Sequence, residues 1–497
     1  MTTDFDKDLR AMQQARRLAE RCRDAQREFA NASVHTVDAV CDAVSRAAFD
    51  AARRLAEMAN SETGYGVIEH KVLKNQFAAR NVWESIRNVP TAGVIERDEA
   101  KKLVVIAEPM GVVAALTPST NPTSTAIFKS LIALKGRNGI VVSPHPFAAK
   151  CTAEAVVIMA RAAEIAGAPA GLISCLDGSS YAGTQELMKH YAVNLILATG
   201  GGPMVRAAHS TGKPAYGVGP GNVPAWVDRS ADIEKAARDI VNSKSFDCSL
   251  ICATEQAVVA DQPIAAELRR RMEEEGAYWV PDPHLKALAA LLFHPDGAIN
   301  SRSVGQTAAS LAKMISMDLP PGKRVLVVPL QGIGKDQPFS REKLTSVLGF
   351  MSVDGAQKGL EVCIDILRFG GDGHSAAIHS RDNAQVERMA LRLPAFRIIV
   401  NSMSTLGSVG YTCGFMPSMT LGTGGIGGAV VGDNITVTHV INRKRVAWEL
   451  QPYTPPDSSA RSQPTANFAT ASSGEPDIDA IVARVLARLG QVPANVS

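Results

Sequence analysis

The chain has 497 residues, 46% apolar and 20% charged, which describes a soluble globular protein of two or three domains and excludes whole-chain disorder. Its 52 basic and 49 acidic residues sum to +3, too little to argue for a nucleic-acid or membrane surface. No apolar run reaches the roughly 18 residues of a membrane span, the N-terminus has no apolar core of a secretory signal, and the eight cysteines include no CxxC pair. That usage predicts reduced thiols in the cytoplasm, with neither a disulfide framework nor a metal site.

The first 60 residues predict helix. Val37, Val40, Cys41, Val44, Ala48, Ala51 and Leu55 recur at the spacing of one apolar face, and Glu62-Thr-Gly-Tyr-Gly66 breaks the pattern. Residues 97–109 read as a strand with a charged flank. From 111 onwards, short apolar runs at 112–116, 140–143, 172–176, 195–198 and 224–227 alternate with helical stretches, notably 122–135 and 148–166. Strands alternating with helices predict crossover units and a parallel sheet buried on both faces. A second α/β block starts near 244, with strands expected at 257–259, 325–328, 347–353 and 398–400, and the glycine-rich stretch 420–428 ends it. A last strand, 436–441, is placed to pair with 103–107. Residues 454–474 are rich in Pro, Ser, Thr and Ala and read as a linker, since they cannot bury enough apolar surface to offset their ordering. Beyond them, Ile478, Ile481, Val482, Val485 and Leu489 share one helical face, with acidic residues at its start and Gly490 at its end.

Four places in the chain could carry chemistry, and each has a plainer reading. Cys252, between an apolar pair and a small-polar run, is either a loop nucleophile or a buried structural thiol. Cys248 lies four residues earlier, but no further ligand completes a metal set. Asn121, between a strand and a helix opened by Pro122, is either a helix cap or an amide aimed at a developing oxyanion. The glycines of 198–204 and 216–222 follow strands, as ordinary tight turns or as backbone that approaches a phosphate. His374, among glycines, suggests a loop near a ligand, although a lone histidine is more often structural.

Five strings in order carry a resemblance: NPTSTAIFKSLIALKGRNGIVVSPHP (121–146), STGKPAYGVGPGN (210–222), SFDCSLICATEQ (245–256), EKLTSVL (342–348) and PSMTLGTGGIGG (417–428). From about residue 5 to 450 the chain resembles the CoA-acylating aldehyde dehydrogenases. These include the aldehyde half of bifunctional aldehyde–alcohol dehydrogenases and the short-chain enzymes of bacterial microcompartments. The resemblance implies an α/β aldehyde dehydrogenase fold with a Rossmann-like cofactor domain (1–243), an α/β catalytic domain (244–433) and a small β oligomerisation arm (434–453, with a strand near 97–109). The linker (454–474) and an amphipathic peptide (475–497) follow. It places the nucleophile at Cys252 and the oxyanion-hole amide at Asn121. Cofactor contacts fall at Thr117, Pro118, Ser143, Pro144, Thr199, Gly200, Gly201 and Gly219, and a nicotinamide-ribose contact at Glu342. His374 becomes a candidate acid or base for the CoA thiol.

What the resemblance implies chemically is attack of the Cys252 thiolate on an aldehyde, hydride transfer to NAD, and a thioester on Cys252. Hydrolytic relatives keep a water-activating glutamate in the segment that here reads Gly217-Val-Gly-Pro-Gly-Asn222, which has no carboxylate. Acyl transfer to coenzyme A is therefore expected over hydrolysis. The expected substrate is a short aldehyde of the propionaldehyde or acetaldehyde class. The alternative is a charged aldehyde such as sulfoacetaldehyde, which would call for an Arg or Lys that 412–423 does not offer. A homodimer or homotetramer is implied. The tail resembles encapsulation peptides, which implies docking of 475–490 on a shell protein and a place in the microcompartment lumen.

Overall fold

The computed structural model describes residues 6–177 and 180–453. The expected linker and the amphipathic peptide at 475–497 lie outside the described residues. The N-terminal helices form where their local chemistry dictates. Lys7–Phe29 is capped by the Asp6 carboxylate, which accepts from Asp8 N at 3.0 Å, and Val34–Asp50 by Ser33 Oγ, which accepts from Thr36 N at 3.1 Å. Ala52–Thr63 stops at Gly64, whose φ of 70° is the left-handed cap that a glycine takes without a Cβ clash. The apolar stripe Val37, Val40, Cys41, Val44 and Ala48 is buried.

Fifteen strands make up three sheets among the described residues. In chain order they are β1 (Gly93–Asp98), β2 (Leu103–Pro109), β3 (Val112–Leu116), β4 (Gly139–Ser143), β5 (Ile173–Cys175), β6 (Val193–Thr199), β7 (Ala215–Val218), β8 (Val223–Val227), β9 (Glu255–Asp261), β10 (Ala277–Trp279), β11 (Val325–Pro329), β12 (Val347–Val353), β13 (Gly373–His379), β14 (Ala395–Val400) and β15 (Ile441–Ala447). The first sheet is parallel, in the order β5-β4-β3-β6-β7. The second is parallel, in the order β10-β11-β12-β9-β8-β13-β14. The third is antiparallel, in the order β1-β2-β15. The last described residues, Trp448–Tyr453, carry no strand or helix.

The chain winds outward from β3 to β5 and then returns to β6 on the other side of β3. The strand order therefore reverses between β3 and β6, and a crevice opens beyond their carboxyl ends. Helix Pro122–Lys135 leaves β3 at that point with all 14 of its residues buried, as an apolar helix on an α/β sheet must be. Its Lys129 is fully buried, and Nζ donates to Leu116 O at 2.6 Å and to Leu197 O at 2.8 Å, which ties β3 to β6 at the reversal.

Several sequence expectations need correction. The strand expected at 97–109 is a hairpin, β1 and β2, with Lys102 in the left-handed region at the turn. The last strand begins at Ile441 rather than 436. Thr436 and His439 form a reciprocal capping box that turns 437–439 into one tight helical turn, and β15 then pairs with β2 as expected. Sheet membership changes between β7 and β8, ahead of the boundary expected at 243, because β8 pairs with β9 and β13. His374 lies on β13, not on a loop.

Candidate active site

Cys252 sits between a tight turn at Phe246–Ser249 and β9, where three consecutive residues, Asp247, Cys248 and Ser249, have φ of 44°, 52° and 65°. Left-handed geometry costs roughly 1–2 kcal/mol per non-glycine residue and persists only where the surroundings over-determine it. Here they do. The buried Asp247 carboxylate accepts from Val67 N at 2.7 Å, from Lys71 Nζ at 3.2 Å and from Lys74 Nζ, while Asp247 N donates to His70 Nδ1 at 2.8 Å. Lys244 Nζ, fully buried, donates to Ser249 Oγ and Gln256 Oε1, each at 3.0 Å. The loop is thus clamped from both sides.

The Cys252 thiol is half-buried, and His374 Nε2 lies 3.1 Å from its Sγ. Burial, with the Glu342 carboxyl adding to it, pushes the thiol up to about 12, against the pull of Arg397. Burial and Arg397 together drive the fully buried His374 well below its ordinary value, so its ring is neutral. Asn121 precedes helix Pro122–Lys135 but makes no side-chain capping bond. Its Nδ2 donates to Leu250 O at 3.0 Å and to Thr120 Oγ1 at 3.2 Å, and its Oδ1 accepts from Lys74 Nζ at 2.5 Å. Asn121 thus stands at the cap position without capping through its side chain, and its amide is held beside the cysteine loop. Lys74 links that amide to Asp247, so one buried ammonium fixes both features.

A cavity of about 640 Å³ joins the two sheets' ends, within the range of ligand sites. Thr117, Pro118, Asn121, Ser143, Pro144, Thr199, Gly200, Gly201, Gly219, Cys252 and Glu342 all line it, so the residues expected from distant strings converge. His374 does not line it; it reaches Cys252 from β13. Glu342 accepts from Gly221 N at 3.0 Å, and burial raises its carboxyl to about 7. Among the described lining residues Glu342 is the one carboxylate, and there is no lysine or arginine. Lys74, Asp247 and Arg397 were not expected from the sequence. Their side-chain partners lie 22 or more residues away in the chain, and no local signal marks them.

The segment without a carboxylate is crowded at two of its three glycines and open at the third. A Cβ on Gly217 would meet Val205 Cγ1 at 2.5 Å and His209 Nε2 at 2.7 Å, and a Cβ on Gly221 would meet Cys252 O at 2.3 Å and His374 Cγ at 3.0 Å. Around Gly219 nothing lies within 4 Å. Gly200 and Gly201, at the start of helix Gly202–His209, are similarly open, with nearest atoms at 4.0 and 3.8 Å. Backbone there can be approached closely by a phosphate-bearing ligand.

Residues 8–287 match the aldehyde dehydrogenase family. The bifunctional aldehyde-alcohol dehydrogenase of Escherichia coli K12 is 39% identical over 435 residues, which cover 86% of this chain and 49% of that one. The chain thus spans about half the length of that relative. A sulfoacetaldehyde dehydrogenase of Acholeplasma sp. is 35% identical, with 87% and 89% covered. Among solved structures, an acetylating aldehyde dehydrogenase from Geobacillus thermoglucosidasius is 45% identical, with 91% of this chain and all of that one covered at a TM-score of 0.89. A propionaldehyde dehydrogenase from the Clostridium phytofermentans fucose utilisation bacterial microcompartment is 28% identical, with 89% and 98% covered at 0.79. The clamped cysteine, its neighbouring amide and the crevice at the sheet reversal thus occur in a chain that belongs to the aldehyde dehydrogenase family.

Proposed function

We propose that the protein oxidises a short neutral aldehyde with NAD⁺ and transfers the acyl group from Cys252 to coenzyme A. The observation that carries this reading is a cysteine at a ligand-sized cavity whose nearby Gly217–Asn222 segment holds no carboxylate and, at Gly217 and Gly221, no space for one. Cys252 Sγ attacks the aldehyde carbon. The Cys252 backbone N–H and the Asn121 amide, once its Nδ2 trades the longer bond to Thr120 Oγ1, are the donors for the resulting oxyanion, with Lys74 holding the amide in place. Thr199–Gly201 and Gly219, with open space at those glycines, would hold NAD⁺, which would supply the hydride acceptor. Glu342 would hold its ribose, as the resemblance implies. The product of oxidation is a thioester on Cys252. With no carboxylate in Gly217–Asn222 to activate water, a thiol of lower pKa is the better nucleophile, and the acyl group passes to CoA. Both thiols must shed a proton, and the site offers two groups to receive one, Glu342 and His374.

A small neutral substrate follows from the lining, which has no cation to pair with a sulfonate or carboxylate. The sulfoacetaldehyde dehydrogenase relative keeps the charged alternative worth testing. We further propose a homo-oligomer, because β15 is an outer strand with six of seven residues exposed. The apolar face at 478–489 gives the chain a shell-docking tail in a microcompartment, a reading supported by its sequence and by the source of the Clostridium structure. No described helix is long and apolar enough to cross a membrane.

The deciding experiment is NADH formation at 340 nm with propionaldehyde, acetaldehyde and sulfoacetaldehyde, with and without CoA. Strict CoA dependence with acyl-CoA as product supports the reading, and free acid without CoA overturns it. Preference for sulfoacetaldehyde overturns the neutral-substrate part alone. Pull-down by shell proteins of the full chain, but not of a chain ending at Tyr453, tests the tail.

A further inference from the structure

Beneath the Cys252–His374 contact runs a chain of hydrogen bonds whose directions are fixed by chemistry. Arg397 is 1% exposed, and a guanidinium can only donate. Its Nη1 donates to Gly432 O at 2.8 Å, and its Nη2 to His374 O at 2.7 Å and Gly422 O at 2.6 Å. These bonds lock the group in place, and its Nε then donates to Ser375 Oγ at 3.3 Å. Ser408 Oγ, also fully buried, donates to the same Ser375 Oγ at 3.3 Å. A serine hydroxyl has two lone pairs and one proton. With both lone pairs taken by Arg397 and Ser408, the proton of Ser375 has one direction left, His374 Nδ1 at 3.1 Å. Nδ1 is therefore an acceptor. A neutral imidazole has one proton, and it must then sit on Nε2, the atom 3.1 Å from Cys252 Sγ.

We propose that Ser375, oriented by Arg397 and Ser408, is a positioning residue that fixes His374 in the Nε2–H tautomer, so that the imidazole donates a hydrogen bond to Cys252 sulfur instead of accepting its proton. The proposal deepens the reading of Cys252 as the nucleophile and rests on it. Donation favours the thiolate over the thiol, both when Cys252 attacks and when it leaves. In acyl transfer the CoA sulfur bonds to the acyl carbon, the Cys252 Sγ–carbon bond breaks, and its electron pair stays on sulfur beside Nε2–H. The CoA thiol's proton then goes to Glu342, the one carboxylate lining the cavity, and from there to water. The expectation that His374 is the base for the CoA thiol is replaced by this division of labour. Arg397, next to the ring, opposes a second proton on it. The charged groups acting on the pair are Arg397 from β14 and Glu342 from the segment before β12, with Asp433 acting on Arg397.

The test is the rate of alkylation of Cys252 by iodoacetamide in the full-length protein from pH 5.5 to 9.5. It is read on the Cys252 peptide by mass spectrometry, alongside CoA-dependent turnover. A hydrogen bond to a charged sulfur makes the expected loss about tenfold or more at pH 7 in both His374→Ala and Ser375→Ala, with the alkylation midpoint moved up. Ser375→Thr, which keeps the hydroxyl, restores the wild-type profile. His374→Gln separates the two roles, because its amide donates but cannot take a proton near neutral pH, and it retains most of the rate. If His374→Gln is as slow as His374→Ala, or if Ser375→Ala leaves the profile unmoved, the proposal is overturned. Should Ser375→Ala fail to fold, the ratio of the two His374 variants decides. Turnover that survives Cys252→Ala instead overturns the reading of Cys252 as the nucleophile.

Discussion

The two walls of the cavity are built on opposite plans. The wall at the carboxyl ends of the first sheet, Thr199–Gly201 with Gly219 facing it from the end of β7, is made of glycines with open space where side chains would stand. The wall at the start of the second sheet is backed by buried charge that does not itself line the cavity: Lys71, Lys74 and Asp247 on one side of the cysteine loop, Lys244 and Lys343 on the other, each at most 3% exposed. The first wall is shaped to receive a ligand and makes few demands on the rest of the fold. The second holds three left-handed residues in place, and the fold must supply partners for every charge it buries. Substitutions should therefore act differently on the two sides: on binding at the first wall, on chemistry and stability at the second.

The largest expected effect is at the second wall. Cys252→Ala should lower CoA-dependent NADH formation by at least about 10³-fold while leaving NAD⁺ affinity, measured by calorimetry, unchanged. Gly221→Ala sets a Cβ 2.3 Å from Cys252 O, so the loop must shift. The expected loss in kcat is on the order of 10²-fold, since small misplacements of reacting groups carry that cost. Next is a pH effect. Burial raises Glu255 from the usual carboxyl range to about 7, where its carboxyl takes bonds from Ser243 Oγ and Ser404 N. Between about pH 4.5 and 7 the folded chain then holds a proton that the unfolded chain has lost, so this group's contribution falls as pH rises through that window. The Tm of Glu255→Gln should therefore decline less steeply from pH 5 to 7 than that of the wild type. The smallest effect belongs to the open wall. Gly219→Ala should change stability by no more than ~0.5 kcal/mol, and raise the KM for NAD⁺ a few-fold with kcat retained. A large loss of stability at Gly219, or none of activity at Gly221, would break the contrast between the walls.

The same contrast decides what could be read from the sequence. The open wall was legible, because glycines after apolar strands are a local signal and the helix at Gly202–His209 follows directly. So were most buried strands and helix Pro122–Lys135, each a continuous apolar run. β7 and β13 were hidden by their own glycines, which read as turns although both segments pair in register with neighbours. β15 was displaced by a capping box whose two members, Thr436 and His439, carry no apolar pattern. At the crowded wall Cys248, Cys252, Asn121 and His374 could be singled out from the residues, and Glu342 from the resemblance. Lys74 reaches Asn121 across 47 positions and Asp247 across 173, and spacing alone does not record such pairings.

Gly221 also bears on how such a catalyst could be turned to another outcome. Its missing Cβ is what lets the main chain lie against both Cys252 O and the His374 ring. A carboxylate introduced there would displace the pair it was meant to assist, and one at Gly217 would collide with Val205 and His209. On the proposed reading, the backbone path at these two glycines keeps a base from standing directly against the cysteine. An engineer seeking a hydrolase from this scaffold would leave Gly217 and Gly221 alone and place the base near Gly219, which lines the cavity and has nothing within 4 Å.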